Sequence, residues 1–236
     1  MYADDILLLT ASVCQMQELI NICVNELQQI EFSVNPNKTT WIRIGNRYGF
    51  KCSTLNVNNV PIDYVKETKF LGTVILTAAK FKISLNRNKT SFFIGVNKLL
   101  SKLGCSDTAV VLALMNSHCV SALLYNLEAC DLTKTELNSL NFVVTRALMN
   151  IFKTWCNKNI LYCMFCSGQL PVDLSILIRK HKFLEKMSQK QDVLTDTFKS
   201  IVIQDKLKNE KIWSDMGGLH SCKLDALGIF QRQIEL

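Results

Sequence analysis

The stretch "MYADDILLLT", residues 1–10, places two adjacent aspartates directly before a run of apolar side chains. Asp4 and Asp5 come first, and residues 6–9 are all isoleucine or leucine. A run of this length is too short to span a membrane and is typical of a strand buried on both faces. Two carboxylates at the end of such a strand repel each other unless a cation neutralises them, and oxygen ligands suit Mg²⁺ or Mn²⁺. The stretch therefore has two interpretations, a metal-binding pair or a simple acidic turn before a core strand.

The composition excludes several classes of protein. The chain has 236 residues, of which 48% are hydrophobic and 20% charged, so one or two domains with a sizeable core are expected. No stretch reaches the roughly 18 uninterrupted apolar residues of a membrane helix, so we expect no membrane partner. Ten irregularly spaced cysteines and an acidic N-terminus favour reduced thiols without a signal peptide. We therefore expect an intracellular protein of the nucleus or cytoplasm.

The positive charge is concentrated in one quarter of the chain. Residues 51–104 carry nine basic and two acidic side chains, and residues 80–102 carry six basic side chains and no acidic one. These six are Lys80, Lys82, Arg87, Lys89, Lys98 and Lys102. Clustered cations of this kind bind the phosphates of nucleic acids, but a solvated helix face has the same composition.

The first third of the chain alternates between helix and strand signals. Ser12 can cap a helix of helically spaced apolar residues, and Pro36 breaks the loop that follows it. The pattern then predicts a strand over residues 40–44, a hairpin turning at Asn58 and Asn59, and one strand in "TKFLGTVI", residues 68–75.

The rest of the chain shows helical patterns only. We expect one helix over residues 80–103 ending at Gly104, and another from Asp107 to about residue 127. Thr133 with Glu136 forms a capping-box pattern, and Pro171 begins a further helix. Strands with one helix followed by helices alone predict an α+β fold, in which an α+β part precedes an all-α region.

Several motifs, taken in order, resemble the reverse transcriptase family. "YADD", residues 2–5, is similar to its Tyr-x-Asp-Asp box, and Asn35, Lys38 and Thr39 match its Asn-x-x-Lys-Thr pattern. "FLG" is similar to its primer-grip strand at Phe70, Leu71 and Gly72. One four-residue box alone is weak evidence for the resemblance, but several motifs in the family's order are specific evidence for it.

Two later segments resemble the polymerases of non-LTR (LINE-type) retrotransposons. "LLYNLEAC" and "LNFVVTRALMNIF" are similar to the helices that follow the palm in that group. Asn126 and Cys130 stand where the group usually has Gly and Trp. The resemblance covers about residues 1–155 and implies a palm part over 1–78, a thumb-like domain over 79–155 and a C-terminal helical region over 156–236.

The resemblance implies two-metal nucleotidyl transfer, in which Asp4 is a metal ligand and Asp5 supports the charge of the site. Lys38 would lie near the triphosphate as a proton donor, and Mg²⁺ or Mn²⁺ would be the cofactor. The implied partners are an RNA template, a DNA primer and a dNTP. Contacts with the primer or nucleotide are implied for Tyr2, Ala3, Phe70, Leu71 and Gly72.

The same resemblance implies an incomplete catalytic site. The family's third aspartate, its fingers and the strand before the box all precede residue 1. We therefore expect a C-terminal fragment of a reverse transcriptase that is inactive alone, with an exposed strand prone to self-association.

Weaker patterns leave alternatives open. The chain could instead be a non-catalytic nucleic-acid-binding or interaction module that uses its basic helical region. Arg179, Lys180 and Lys182 on a later helix compete with residues 80–102 as the nucleic-acid contact. Cys163 and Cys166 form a Cys-x-x-Cys pair without a spaced second pair, so we do not expect zinc.

Overall fold

The computed structural model describes residues 5–50, 52–104, 107–218 and 223–235. It divides into two compact units, Met1–Ser84 and Leu85–Leu236. The first unit combines one helix with short strands, and the second is helical, so the predicted α+β class is confirmed. Within the described residues, no helix is long and apolar enough to cross a membrane.

The first unit is organised around helix α1, Val13–Gln29. The Ser12 side chain accepts a hydrogen bond from the Gln15 backbone N–H, which confirms the predicted cap. Ile20 and Val24, one turn apart, turn the apolar face of α1 toward the sheet. They form a small core with Leu55, Val57 and Ile62.

Two three-stranded sheets complete the first unit. The first has the order β1-β3-β2, in which β3 is parallel to β1 and antiparallel to β2. The second has the order β4-β5-β6 and is antiparallel throughout. The strands are β1 Thr40–Trp41, β2 Leu55–Val57, β3 Val60–Tyr64, β4 Glu67–Phe70, β5 Thr73–Leu76 and β6 Lys82–Ile83.

Two of the strand connections in this unit turn on two residues with positive φ. Asn58 and Asn59 (φ 50° and 63°) join β2 to β3 at the predicted turn. Leu71 and Gly72 (φ 45° and 83°) join β4 to β5, so the prediction of one strand over residues 68–75 is wrong. A two-residue turn with both residues left-handed matches the twist of the flanking strands, and Gly72 takes that conformation without strain.

The predicted strand over residues 6–9 is also wrong. Residues 6–10 form no regular secondary structure, and Ile6, Leu7 and Leu9 are 39%, 48% and 78% exposed. Only Leu8 packs against the core of this unit. A strand needs a hydrogen-bonded neighbour, and no strand among the described residues pairs with this segment. Apolar content alone therefore does not make it a strand.

Two further predicted boundaries need correction. The predicted strand over residues 40–44 is regular only at β1, followed by an isolated bridge between Ile44 and Ala78. The helix predicted from residue 80 begins at Asn86, because Lys82 and Ile83 instead pair with β5. Its predicted end is confirmed: Gly104 has φ 62° and its N–H donates to the Leu100 carbonyl.

The second unit consists of helices and their connections. They are α2 Asn86–Leu103, α3 Thr108–Leu114, a π-helical turn Met115–Val120, α4 Ser121–Leu123, a 3₁₀ turn Leu127–Ala129, α5 Lys134–Phe152, α6 Asn157–Cys166, α7 Val172–Gln189, α8 Val193–Asp215 and α9 Lys223–Glu235. Asp107 caps α3, and Thr133 with Glu136 forms the predicted capping box of α5. The helix predicted to reach residue 127 ends at Leu123, because Asn126 takes the left-handed conformation (φ 62°).

The core of the second unit lies between α2, α5 and α7. Phe92, Leu140, Leu148 and Leu174 are at most 1% exposed. Gly95 on α2 lies so close to Cys119 of the π-helical turn that an added Cβ would stand 2.9 Å from the Cys119 sulfur. The absence of a side chain at Gly95 therefore sets how closely these two helical segments approach.

Candidate functional site

The acidic box is only partly within the described residues. Tyr2, Ala3 and Asp4 lie outside them, so their predicted roles have no structural description. Asp5 is exposed and takes part in an isolated bridge before the irregular segment 6–10. Its carboxylate is therefore accessible to solvent and to a cation, but it is not fixed at the end of a regular strand.

The loop that carries Lys38 is organised by Asn35. The Asn35 side-chain oxygen accepts from the Asn37 N–H at 3.0 Å, and its carbonyl accepts from the N–H groups of Lys38 and Thr39. The Thr39 hydroxyl donates to the same carbonyl at 2.8 Å. The Asn-x-x-Lys-Thr pattern thus forms a closed turn that presents the exposed Lys38 side chain to solvent.

The Phe70-Leu71-Gly72 motif forms the turn between β4 and β5. Leu71 is 37% exposed at the tip of this turn, and Phe70 is half-buried as the last residue of β4. The motif is therefore a compact surface projection whose backbone conformation is fixed by the hairpin. No described contact joins it to Lys38 or to Asp5.

A cleft of about 900 Å³ lies within the first unit. Residues 10–13 and Met16 line one side, and residues 41–47 and Phe50 line much of the rest. Arg43 lies in this wall, and its guanidinium donates to the carbonyls of Arg47 and Phe50. The lining has few ionisable side chains, so the cleft does not resemble an acid–base site.

The six predicted basic residues are divided between the two units. Lys80 and Lys82 belong to the first unit, and the other four belong to α2 in the second. On α2, Arg87, Lys98 and Lys102 are exposed and share one face at helical spacing. Lys89 lies on a different face, where its ammonium donates to the Ser139 hydroxyl at 2.7 Å.

Helix α2 contributes no negative charge to the face that carries Arg87, Lys98 and Lys102. Helix α2 contains no acidic residue, and Ile94, 49% exposed, lies between the basic side chains. An exposed row of cations without a neighbouring acid produces a positive potential along the helix. This face is defined here as the α2 basic face.

The competing basic residues on α7 are largely used within the fold. Lys180 forms an ion pair with Asp131 at 2.7 Å, and this hydrogen bond lowers the pKa of the Asp131 carboxyl. The Arg179 guanidinium donates to the Leu124 carbonyl at 3.4 Å. Lys182 is exposed. Two of the three predicted phosphate contacts on α7 therefore already have partners inside the protein.

Asn126 lies in a left-handed turn. It has φ 62°, a conformation that glycine adopts freely and that asparagine tolerates better than most residues. Asparagine is therefore compatible with the turn between α4 and the 3₁₀ turn.

Sequence reasoning missed a group of exposed aromatic and basic residues on and after α5. Phe142 and Trp155 are 65% and 64% exposed, and the Arg146 guanidinium lies 5.0 Å from the centre of the Trp155 ring. The signal was present, because Phe142 interrupts the buried period of Leu140, Val143 and Val144. The sequence pattern did not reveal that the Phe142 side chain is exposed, and this exposure is what makes it a candidate for binding.

Metal ligands are not clustered in the described residues. In residues 5–50, 52–104, 107–218 and 223–235, no three side chains of His, Cys, Asp or Glu lie together in a way that could hold a metal ion. Cys163 and Cys166 lie one turn apart on α6, half-buried and exposed respectively. Asp4 lies outside the described residues, so the magnesium site at Asp4 and Asp5 stays a prediction.

Comparison with known proteins identifies the family. The model of the family described as "Reverse transcriptase (RNA-dependent DNA polymerase)" matches residues 1–140. No curated protein and no solved structure matches the chain significantly. The matched span includes the acidic box, the Lys38 loop, the β4–β5 turn, α2 and the beginning of α5. The chain belongs to the reverse transcriptase family.

Proposed function

We propose that this chain acts as part of a non-LTR retrotransposon reverse transcriptase and that its helical unit holds the primer–template duplex. The observation that carries the proposal is the α2 basic face, which lies within the family match and has no acidic residue. The downstream motifs around Tyr125 and Arg146 support the non-LTR type. The RNA template, DNA primer and dNTP are the substrates that this function requires.

The α2 basic face is better suited to phosphates than the α7 residues. Arg87, Lys98 and Lys102 are exposed, whereas Lys180 and Arg179 would have to break contacts with Asp131 and Leu124 first. Exposed lysines and arginines neutralise phosphates without regard to sequence and release condensed counterions. The expected binding is therefore independent of sequence and sensitive to salt.

Charge reversal on α2, compared with charge reversal on α7 and α8, tests this assignment. One variant carries Arg87→Glu, Lys98→Glu and Lys102→Glu. Its matched control reverses three exposed lysines elsewhere in the second unit, Lys182, Lys186 and Lys211, and has the same net charge. We expect the first variant to bind an RNA–DNA primer–template at least tenfold more weakly than the control in filter binding at low salt. Stronger weakening in the control would place the contact outside α2.

We further propose that Asp4 and Asp5 hold Mg²⁺ or Mn²⁺ during nucleotidyl transfer. Carboxylate oxygens are the ligands these ions prefer, and the exposed Asp5 is accessible to one. When bound, the ions activate the primer hydroxyl and stabilise the leaving pyrophosphate. Lys38, held by the Asn35 turn, would donate a proton to that pyrophosphate. Tyr2, Ala3 and the β4–β5 turn would contact the primer end or the nucleotide.

The 236 residues are proposed to be inactive alone. Two adjacent carboxylates do not fix two ions, and the segment after Asp5 is not a regular strand. Purified chain should therefore not extend a DNA primer on an RNA template with dNTPs and either metal ion. Extension above background that is lost in Asp4→Ala would contradict this and would mean that another carboxylate completes the site.

A second function is supported by the same irregular segment. A nucleic-acid-binding module without metal chemistry needs the α2 basic face but not Asp4 and Asp5. A complementation assay separates the two functions: a fingers and palm fragment supplied in trans restores extension only if the chain contributes catalytic residues. Restoration that depends on Asp4 supports the polymerase fragment, and binding without restoration supports the module.

A further inference from the structure

An exposed aromatic and cationic surface lies on the side of α5 away from its core. Leu140, Val143 and Leu148 face the core and are at most 4% exposed, whereas Phe142 is 65% exposed. Arg146 lies one turn after Phe142 on the same exposed face. A phenylalanine so exposed at the centre of a well-packed helix contributes nothing to the described core.

Arg146 also connects this face to the residues after α5. Its guanidinium lies over the Trp155 ring at 5.0 Å from the ring centre, and Trp155 is 64% exposed. The Arg146 plane and the indole therefore support each other, since a cation over an aromatic face is attracted to it. Phe142, Arg146 and Trp155 are defined here as the stacking surface.

The segment of sequence that contains the stacking surface carries positive charges and no negative ones. Between Glu136 and Asp173 the sequence has no acidic residue, while it has Arg146, Lys153 and Lys158. All of these residues are described, and both lysines are exposed. A polyanion can therefore approach the aromatic side chains without repulsion from this segment.

The start of α6 adds hydrogen-bond donors beside Trp155. Cys156 is the N-terminal cap residue of α6, and its side chain makes no capping hydrogen bond. The backbone N–H groups of Asn159 and Lys158 lower the pKa of the Cys156 thiol, because they stabilise its negative form. The same donors would stabilise a phosphate oxygen next to the Trp155 ring.

We propose that the stacking surface of Phe142, Arg146 and Trp155 binds an unpaired RNA strand, with bases stacked on the aromatic rings and phosphates near Lys153 and Lys158. Exposed aromatic side chains beside cations are how proteins hold single strands, because every base has a flat face to stack. RNA is the strand that the family copies. The proposal goes beyond the duplex contact of α2, since it concerns a different surface and an unpaired ligand.

Tryptophan fluorescence gives a direct readout. The chain has three tryptophans, and Trp155 is the exposed one: Trp213 is 2% exposed and Trp41 is half-buried against the core. Titration with a short oligo(U) RNA should quench the emission of Trp155, because a stacked base quenches indole fluorescence. The quenching should disappear in Trp155→Phe. Absence of quenching at saturating RNA would overturn the proposal.

Anisotropy of a labelled oligo(U) then tests the individual contacts. Trp155→Ala and Phe142→Ala should each weaken binding about tenfold, because base–aromatic stacking contributes about 1–3 kcal/mol. Arg146→Lys should also weaken it, since lysine keeps the charge but loses the planar group. Phe198→Ala, which removes a ring that is 49% exposed on α8, should bind like the wild type. Equal affinities of Trp155→Ala, Phe142→Ala and the control would overturn the proposal.

Two further arms identify the ligand and separate this proposal from the previous one. DNA of matched length and sequence should bind more weakly than RNA, and tighter DNA binding would overturn the RNA assignment. The variant Arg87→Glu, Lys98→Glu, Lys102→Glu should lose duplex binding but still show RNA quenching. Quenching without duplex binding in the wild type would contradict only the α2 proposal. Circular dichroism of each variant confirms that the fold is retained.

Discussion

The two units of this chain bury their apolar side chains to very different extents. The first unit has a core of Ile20, Val24, Leu55, Val57 and Ile62, and its strands are two to five residues long. The second unit contains most of the buried apolar residues described in the chain, on long helices that pack against one another. Short strands with a small core leave little free energy to hold their edges in place.

The helical unit is therefore the better-packed part of the molecule. The first unit exposes large apolar side chains, among them Leu9, Phe32 and Phe50 at 78%, 64% and 70%. Exposed apolar residues beside unpaired backbone are sites for association with other chains. The helical unit also carries both proposed nucleic-acid surfaces. Its larger core can hold the side chains of these surfaces in a fixed arrangement.

The largest expected effect is a contrast in hydrogen exchange between the two units. Amides of α5 from Leu140 to Ile151 should exchange several orders of magnitude more slowly than those of residues 6–10, because only the helix has buried hydrogen bonds. Mass spectrometry of peptic fragments measures both rates in one sample. Strong protection of residues 6–10 in a monomer would mean that this segment is a paired strand after all.

A core truncation in the helical unit should be costly. Leu148 is fully buried on α5, so Leu148→Ala should lower the free energy of unfolding by about 2–5 kcal/mol. Leu207→Ala on α8 is the matched control, since Leu207 is 60% exposed and should change it by about 0.5 kcal/mol or less. Urea denaturation followed by circular dichroism measures both. Similar losses for the two variants would contradict the assigned core.

Self-association should depend on the irregular segment of the first unit. Leu7→Lys with Leu9→Lys places charges on the exposed side chains and should shift sedimentation profiles toward monomer. The paired control, Leu207→Lys on α8, should leave the profile unchanged. If the control variant dissociates and the first does not, association occurs through the second unit.

Two cysteines of the helical unit should differ in reactivity, because the thiolate is the nucleophile. Backbone N–H groups lower the pKa of Cys156, so its thiolate fraction near pH 7.5 is raised. Burial, with help from Asp131 and Glu128, raises the pKa of Cys130 to about 11, so its sulfur stays protonated at that pH. Iodoacetamide should therefore modify Cys156 first, and Cys130 should become reactive only as the pH approaches that value. If peptide mapping finds that iodoacetamide modifies Cys156 and Cys130 at equal rates at pH 7.5, the environments assigned to the two thiols are wrong.

Some parts of this architecture were readable from the sequence because their signals are local. The caps at Ser12, Asp107 and Thr133 and the Asn58-Asn59 turn depend on neighbouring residues only, and all are confirmed. The structure of the segment 6–9 could not be predicted from the sequence, because a strand depends on a partner elsewhere in the chain. The β4–β5 turn was missed because Leu71 has φ 45°, a conformation that leucine rarely adopts.

The candidate surfaces show the same limit. Counting charges found the acid-free stretch 80–102 but could not tell that Lys89 bonds to Ser139 while Arg87 and Lys98 are exposed. Periodicity could not reveal that Arg146 lies over Trp155, since the two belong to different segments. Composition predicts that a surface is basic, and only the packing decides which cations remain available.

The measurement that tests the central claim most directly is the salt dependence of duplex binding. Three phosphate contacts from Arg87, Lys98 and Lys102 predict a slope of about −2.7 in log affinity against log salt concentration. Removing them by Arg87→Glu, Lys98→Glu and Lys102→Glu should bring the slope close to zero, while the control variant at Lys182, Lys186 and Lys211 keeps the wild-type slope. A steep slope that survives the α2 substitutions and is lost in the control would contradict the claim that the α2 basic face holds the duplex.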